Sequence, residues 1–528
     1  MEFDIIGGNI ESNETKILIQ NLSTSCKAHI QEANSGNTES LYYIGRSFIE
    51  GANEFPQNIK IGLKYIKKGS EMEDISSMEY YGSLLFKGDI IAKDEYKANS
   101  ILMTAAIKYN SSNAKFLLAQ IQMSHRTSGP NGFDDSKVNY VLAKEFAKEA
   151  ADSTPKNPEA MVLYGLICQK EKNNEYGSIT RNFKEAFKYF KEAADLGNED
   201  AMVYVGNYYR DGYGVTNIDK KLAIRYYRLS SKSGNLNGCA SYGGRMIDGD
   251  GIKENEREGL RLVKYSCDRG NPRGYVGYGY CLFYGVSDLP VDKIKASYYF
   301  KKAADAGYHM GMYNYAIDLR DGNGGVQRNI DEAIRYFKMA IDEGNIFSAR
   351  ILGILLCKGF KDENSNVILK PDPTEGNRYI KYAADHGDSA AMEEYAYNIL
   401  NRKGVEFNTN ELKKYLEMGV EAKNTFCMRY YGAILLDGTP FPKDVTQGAR
   451  YYKMAVDLGD EAAMYTYGEL LEEGLGVEKD LVKARKYYQL AADLGDKDGI
   501  ESYARFLEQG IGGEKWEEEA QKYRKILA

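Results

Sequence analysis

The residues of this 528-residue chain that could perform chemistry are few and scattered. Gly212-x-Gly214 and Gly474-x-Gly476 have the glycine spacing of a phosphate-binding loop. They recur at the same place in a repeating unit and no strand is predicted before them, so we interpret them as turns. Asp248-Gly-Asp250-Gly251 begins like a calcium-binding loop but lacks the later ligands, including a glutamate at position 12. These segments predict tight turns and no cofactor site.

Histidines and cysteines are too dispersed to suggest a metal site or a disulfide framework. The seven cysteines are odd in number and form no Cys-x-x-Cys pair, so we expect reduced, mostly buried thiols. The chain contains no P-loop, His-Glu-x-x-His, Gly-x-Ser-x-Gly or protein-kinase signature. The sequence therefore predicts a protein without catalysis, cofactor or metal. The four histidines lie far apart in the sequence: His29, His125, His309 and His386.

Composition and charge favour a folded protein that binds neither nucleic acid nor the membrane interior. The net charge is −7, with both signs interspersed, so no basic field points to nucleic acid. The first residues have no basic segment followed by an apolar one, which a secretory signal would require. The longest apolar run, Ile351–Cys357, is far shorter than a membrane span. We therefore expect a cytoplasmic location and no direct membrane insertion.

The elements that must position any site come from an internal repeat of about 37 residues, a period typical of solenoids. The segment Lys184–Tyr189 (KEAFKY) returns as Lys221–Tyr226 (KLAIRY). Aligning the chain on small residues such as Gly206 predicts thirteen helical hairpins, each with a first helix A and a second helix B. Before the first hairpin, Thr15–Ala33 resembles an unpaired helix B. The small residues predict close approach of helices A and B.

Two further residue types support the alignment. Four residues before the small residue of helix B, twelve of the thirteen repeats have Asn or Asp, which predicts a helix N-cap. Tyrosine recurs three residues after that point, as at Tyr189, and one residue before the small residue of helix A, as at Tyr164. Regular spacing on helices makes these tyrosines packing wedges between helices and not a ligand cage.

Length variation is confined to the A–B turns. The chain is predicted to have insertions at Ser124–Ser136, Gln169–Thr180 and Lys358–Pro371, whereas the B–A joints are nearly constant in length. Two prolines, Pro155 and Pro158, lie between the third and fourth repeats and suggest a subdomain boundary there. The predicted organisation is an N-terminal segment with a capping helix at 1–36, degenerate repeats one to three at 37–154, and repeats four to thirteen with a polar C-terminal capping helix at 155–528.

The repeat unit resembles the Sel-1-like repeat family. It has a small residue in helix A, Gly-x-Gly-Val in the turn, and helix-B segments such as Asp480–Gly495 (DLVKARKYYQLAADLG). The resemblance covers about residues 15–528 and is weaker in repeats one to three and ten. It implies an all-α fold: a right-handed α-solenoid, similar to tetratricopeptide arrays, in which helix A lines a concave groove.

The function that the resemblance implies is a scaffold or adaptor that binds protein or peptide partners without catalysis. A regulatory subunit of a membrane-associated complex, of the ubiquitin-ligase, endoplasmic-reticulum-degradation or cell-wall-enzyme-activator type, is the alternative. A hydrolase is a third reading. The secreted bacterial hydrolases of the family pair cysteines within each repeat, and this chain lacks that spacing.

One stripe of helix A is the candidate binding surface. Positions −6, −3, +1 and +4 from the small residue lie on one helical face. In repeats seven to eleven this stripe is aromatic and arginine-rich, a composition typical of protein-binding hot spots. Packing between neighbouring A helices is the other interpretation. In the last two repeats the stripe is acidic, at Glu469, Glu472, Asp498, Glu501 and Glu508. The candidate binding residues are Arg273, Tyr280, Phe283, Tyr313, Arg320, Phe347, Arg350, Tyr397, Phe426 and Arg429.

Overall fold

The computed structural model describes residues 21–124, 137–170, 180–212 and 218–526, together with the backbone of 127–129, 132–134, 172–174, 177–179 and 527. His125, Gly214 and most of the first two insertions lie outside the fully described residues.

The fold is an all-α solenoid. The described residues form 27 helices: α1 Thr24–Asn34, α2 Thr38–Glu50, α3 Ile59–Glu71, α4 Ile75–Lys87, α5 Glu95–Lys108, α6 Ser112–Ser124, α7 Tyr140–Ala151, α8 Pro158–Cys168, α9 Phe183–Asp195, α10 Glu199–Asp211, α11 Lys220–Lys232, α12 Leu236–Asp248, α13 Glu256–Asp268, α14 Pro272–Tyr284, α15 Lys293–Asp305, α16 His309–Asp321, α17 Ile330–Asp342, α18 Ile346–Lys358, α19 Pro373–Asp385, α20 Ser389–Leu400, α21 Thr409–Glu421, α22 Thr425–Asp437, α23 Val445–Asp457, α24 Glu461–Glu473, α25 Leu481–Asp493, α26 Lys497–Gln509 and α27 Glu517–Leu527.

The helices form the thirteen predicted hairpins. Helix A of each hairpin has an even number from α2 to α26, and the helix B that follows it has the next odd number. Within α1–α15 and within α16–α27, each helix packs mainly against the helices before and after it, and successive A helices such as α12 and α14 also contact each other. The predicted helix before the first hairpin is present as α1, which starts at Thr24 after its N-cap Ser23 and packs on α2; residues 15–20 of that prediction lie outside the described residues.

Side-chain caps explain where the helices begin. All twelve predicted Asn and Asp residues accept a hydrogen bond from the backbone N–H three residues later, as Asn182 does from Glu185 at 3.0 Å. This satisfies one of the N–H groups that has no partner inside the helix. Most A helices have the same cap, for example Asn198, which accepts from Ala201 at 2.8 Å.

The small residues allow helices A and B to touch, as predicted. A Cβ atom added to Gly206 on α10 would lie 2.5 Å from the Tyr227 ring on α11. A Cβ atom on Gly62 would lie 2.5 Å from the Gly45 carbonyl oxygen. Both distances are shorter than van der Waals contact, so the gain in packing offsets the helix propensity that glycine loses, roughly 1 kcal/mol relative to alanine.

The repeated tyrosines pack between helices, as predicted. Tyr164 on α8 and Tyr189 on α9 form an edge-to-face pair with ring centroids 4.7 Å apart. The Tyr189 hydroxyl donates to Asp152 of the preceding hairpin at 2.6 Å, and the Tyr164 hydroxyl donates to Glu185 at 2.6 Å. Each ring therefore packs between helices A and B, while its hydroxyl donates a hydrogen bond to a carboxylate. Equivalent edge-to-face pairs are Tyr278–Tyr299, Tyr315–Tyr336, Tyr395–Tyr415, Tyr467–Tyr487 and Tyr503–Tyr523.

Each predicted insertion contains a short antiparallel β-hairpin, which the sequence did not indicate. The strands are β1 Thr127–Gly129, β2 Gly132–Asp134, β3 Lys172–Asn174, β4 Gly177–Ile179, β5 Phe360–Lys361 and β6 Val367–Leu369. They pair in order as β1–β2, β3–β4 and β5–β6. Each pair joins helix A to helix B of its own hairpin, so the insertions leave the helical stack uninterrupted.

The chain divides into two compact units, Met1–Ala306 and Gly307–Ala528. Helices α1–α15 belong to the first unit and α16–α27 to the second. The subdomain boundary predicted near Pro155–Pro158 coincides with the start of α8, which Asn157 caps through the Ala160 N–H at 2.9 Å. Whether the chain bends or divides at that point stays a prediction.

Candidate protein-interaction face

The predicted stripe on helix A is at the protein surface in both units. We call it the A-helix face: the residues at positions −6, −3, +1 and +4 from the small residue of each helix A. The ten candidate residues divide between the units, with three on α14 of the first unit and seven on the A helices of the second. Phe347 is exposed and the other nine are half-buried. Each unit therefore has its own portion of the face.

The three candidates of the first unit pack partly within it. The Arg273 guanidinium donates to the Ser241 hydroxyl on the preceding A helix at 3.1 Å. The Tyr280 and Phe300 rings pack edge to face, with centroids 5.4 Å apart. The Phe283 ring lies 5.0 Å from the Lys293 ammonium group. These side chains tie α14 to its neighbours while leaving part of each ring at the surface.

Two arginines of the second unit bind aspartates of the next hairpin. Arg350 on α18 donates to Asp388 at 3.0 Å, and Arg429 on α22 lies 3.0 Å from Asp460. The aspartate side chains are only 4% and 9% exposed. Both aspartates lie at the N-cap of the next A helix, and Asp388 also accepts from the Ala391 N–H at 2.9 Å. These arginines therefore join successive A helices.

This pairing determines what charge reversal at the A-helix face would do to the fold. An acidic residue at position 350 or 429 would place two carboxylates together next to a helix N-terminus and leave a nearly buried aspartate without its cation. Arg320 differs, because it pairs with Asp321 of the same helix at 2.6 Å. Arg350 and Arg429 thus contribute to stability, whether or not they also contact a partner.

The aromatic residues of the face in the second unit are exposed or half-buried, and Phe347 is the most exposed of them. The Phe347 side chain is 46% exposed at the second residue of α18. Phe426 occupies the same position of α22, where it stacks on Tyr430 with centroids 4.3 Å apart. Tyr397 on α20 lies beside the Lys403 ammonium group at 4.5 Å, and Tyr313 on α16 approaches Phe337 at 6.4 Å. Helices α20 and α22 contact each other, which brings their aromatic residues to adjacent A helices.

The acidic part of the A-helix face, in the last two repeats, is partly neutralised by arginines of the same chain. Glu472 forms a two-point ion pair with Arg505, at 2.8 and 2.7 Å, and accepts from the Tyr488 hydroxyl at 2.7 Å. Hydrogen bonds from Arg505 lower the pKa of Glu472 below its ordinary value. Burial raises the pKa of Glu469 instead, although that carboxylate accepts from the Tyr465 hydroxyl at 2.6 Å. Glu508 and Glu501 lie near Arg524, whereas Asp498 is exposed in the first turn of α26.

A further cluster, around α2 on the A-helix face of the first unit, was not predicted from the sequence. On α2, Arg46 donates to Glu50 at 2.8 Å and to the Tyr42 hydroxyl at 3.3 Å. Tyr80 on the next A helix donates to Glu50 at 3.3 Å, and burial raises its pKa to about 12. The sequence positions of Tyr42 and Arg46 could have indicated this cluster, because they are the −3 and +1 positions of the stripe around Gly45.

Three findings on the described residues concern metal ions, thiols and membranes. Among them, no group of three or more His, Cys, Asp or Glu could hold a metal ion. Six of the cysteines are buried, and burial raises the pKa of Cys427 to about 12, which disfavours its thiolate. No helix in the described part of the chain combines the length and apolar character needed to cross a membrane.

Comparison with known families identifies the repeat. A family model described as "Sel1 repeat" matches well over half of the chain, so the chain belongs to the Sel1 repeat family. Proteins built from this repeat are generally protein-interaction scaffolds. Hairpins α4–α5, α20–α21 and α26–α27 have no match, so the solenoid has three more hairpins than the ten matched segments. These segments are residues 38–74, 131–154, 158–198, 199–235, 238–271, 272–308, 309–345, 352–388, 425–460 and 461–496.

The chain is also similar to individual proteins. A putative Sel1-like repeat-containing protein of Acanthamoeba polyphaga mimivirus is 34% identical over 77 residues, which are 14% of this chain and 13% of that protein. A protective antigen of uropathogenic Escherichia coli that displays an SLR fold is 18% identical, with a TM-score of 0.46 over 96% of this chain and 94% of the other. A Sel1 repeat protein from Oxalobacter formigenes is 21% identical, with a TM-score of 0.33 over 66% and 95%.

Proposed function

We propose that this protein is a non-catalytic scaffold or adaptor that binds a protein or peptide partner along the A-helix face. The observation that carries the proposal is the set of partly exposed aromatic side chains on the A helices of the second unit, at Phe347, Tyr397 and Phe426. Aromatic residues supply large contact areas at small entropic cost, which is why they are enriched in binding hot spots.

The rest of the face suits the same role. Arg350 and Arg429 fix successive A helices relative to one another, so the aromatic residues are held on a rigid scaffold. A surface that is ordered before binding loses less conformational entropy when a partner docks. A cytoplasmic location and the absence of nucleic-acid partners belong to the same proposal.

The test compares partners captured from the protein's own cells by the tagged wild type and by a Phe347→Glu/Phe426→Glu variant. Both phenylalanines occupy the second position of an A helix, where an acidic residue interacts favourably with the helix dipole. We therefore expect the variant to fold normally and to lose the partners that the wild type captures.

Tyr96→Glu is the matched control. Tyr96 is also an aromatic residue at the second position of a helix, but it lies on helix B of the second hairpin and is 89% exposed. The control should retain every partner. Equal retention by the double variant, or equal loss in the control, would contradict the assignment of the A-helix face as the binding surface.

A further inference from the structure

The outer surface of α11, a B helix of the first unit, carries an uncompensated line of positive charge. Lys221, Arg225, Arg228 and Lys232 are separated by four, three and four residues, so they follow one face of the helix. All four side chains are exposed. The line spans roughly 16 Å at the rise of an α-helix. We call these four residues the α11 basic line.

The neighbouring B helices lack such an excess of charge. The preceding helix B, α9, and the following one, α13, each contain three basic and three acidic residues. Helix α11 contains five basic residues and no acidic one. The whole chain has a net charge of −7, so the α11 basic line is a local departure from its composition.

The excess positive charge of α11 arises in part because this helix lacks an ion pair that recurs within other B helices. Five residues after its small residue, helix B typically has a lysine that pairs with an aspartate four residues further on. On α13, Lys264 binds Asp268 at 2.7 Å. The two equivalent residues of α11 are both basic, Arg228 and Lys232. The same pair occurs at Lys148–Asp152, Lys191–Asp195, Lys301–Asp305 and Lys453–Asp457.

Helix α11 also lacks a glutamate that lies near the start of α13, and this adds to its excess positive charge. On α13, Glu258 forms a two-point ion pair with Arg261, at 2.8 and 2.7 Å. The equivalent residues of α11 are Leu222 and Arg225, so this arginine lacks the glutamate at that place. No residue of the α11 basic line forms an ion pair with any residue that the structure describes, whereas Lys220 beside it pairs with Asp250 at 2.8 Å.

Helix packing does not require this charge. In other hairpins the aspartate at the end of helix B also accepts a hydrogen bond from a tyrosine of the next hairpin, as Asp152 does from Tyr189. After α11, the residue in the place of that tyrosine is Leu262, which has no hydroxyl. Because no tyrosine hydroxyl is present there, no hydrogen bond is lost when a lysine stands in the place of the aspartate. The Lys232 side chain is exposed to solvent.

We propose that the α11 basic line binds an acidic segment of a partner polypeptide. Arginine forms two parallel hydrogen bonds with a carboxylate, and two of the four residues are arginines. The preceding and following B helices, α9 and α13, carry no net charge, so the excess of positive charge is one helix wide. This width fits an acidic helix or strand better than a membrane surface or a nucleic-acid duplex. The site lies on helix B and is independent of the A-helix face.

The experiment uses the full-length protein and a fluorescein-labelled helical peptide of about fourteen residues, long enough to span the line. Its glutamates are spaced four, three and four residues apart on an alanine background. Fluorescence anisotropy at about 50 mM salt, where screening is weak, should show saturable binding. The Lys232→Asp variant recreates the recurring ion pair with Arg228 and should weaken binding at least about tenfold, or about 1.4 kcal/mol.

Two further variants make the result specific. Arg225→Gln/Arg228→Gln should weaken binding by a similar factor without adding an acidic residue. Lys188→Asp makes the same change of charge on an exposed position of α9 and should alter affinity less than about twofold. The absence of saturable binding, or equal losses in the Lys188 and Lys232 variants, would overturn the proposal. Tighter binding of phosphatidylserine vesicles or of a DNA duplex than of the peptide would overturn the assignment of a polypeptide partner.

Discussion

The contact between Arg350 and Asp388 predicts a measurable coupling between successive hairpins. Replacing Arg350 with methionine keeps most of the aliphatic stem but removes the cation that binds Asp388 at 3.0 Å. Asp388 is only 4% exposed, so water cannot replace the lost hydrogen bond fully. Its other oxygen still accepts from the Ala391 N–H, so the helix cap survives the substitution.

The expected loss of stability follows from these contacts. A hydrogen bond to a charged group contributes about 1.5–3 kcal/mol, and breaking a deeply buried ion pair costs about 3–5 kcal/mol. Arg350 is 24% exposed, which places this pair near the lower range, at about 2 kcal/mol. Urea unfolding followed by circular dichroism measures this as a lower midpoint with an unchanged m value.

A double-mutant cycle isolates the pair. Arg350→Met and Asp388→Asn, alone and together, should give a coupling energy of about 1–2 kcal/mol. Arg378→Met is the matched control, because Arg378 also pairs with a carboxylate, Glu375 at 3.2 Å, but is 78% exposed. The control should change stability by less than about 0.5 kcal/mol. A coupling energy near zero, or an equal loss in the control, would refute the structural role of Arg350.

Two other predictions concern packing and pH. Gly206→Ala should lower stability by about 1–3 kcal/mol, because its Cβ would meet the Tyr227 ring at 2.5 Å. Gly244→Ala, with open space around it, should raise stability by up to about 1 kcal/mol, and thermal unfolding separates the two. The lowered pKa of Glu472 means that it stabilises the fold above its ordinary value of 4.5 and that this contribution is lost as the pH falls through the folded-state pKa. Glu472→Gln should therefore destabilise the protein at neutral pH and flatten the acid side of its stability profile. Glu469→Gln should stabilise it at neutral pH, because burial raises that pKa.

Features that depend on local spacing could be predicted from the sequence. Helix N-caps such as Asn182 and tyrosine pairs such as Tyr164–Tyr189 repeat with the period of the chain, and the structure confirms both. The close approach at Gly206 followed from the same repeat. The β-hairpins of the insertions were not predicted, because strands of two or three residues are too short to show alternation.

The roles of the arginines could not be predicted, because they depend on the distance between hairpins. The stripe placed Arg350 and Arg429 on one face of helix A, but it did not indicate that Asp388 and Asp460 lie within hydrogen-bonding distance. The capping position of those aspartates repeats along the chain and was an available signal. Whether the aromatic residues of the face bind a partner stays a prediction.

Photo-crosslinking in the protein's own cells tests that prediction most directly. Benzoylphenylalanine would replace Phe347 on the A-helix face in one variant and Tyr96 on helix B in another, both exposed at the second residue of a helix. If the A-helix face binds a protein, ultraviolet light should produce a discrete adduct from position 347 and none from position 96, and mass spectrometry would identify the partner. Adducts from position 96 alone, or the same adducts from both positions, would contradict the account.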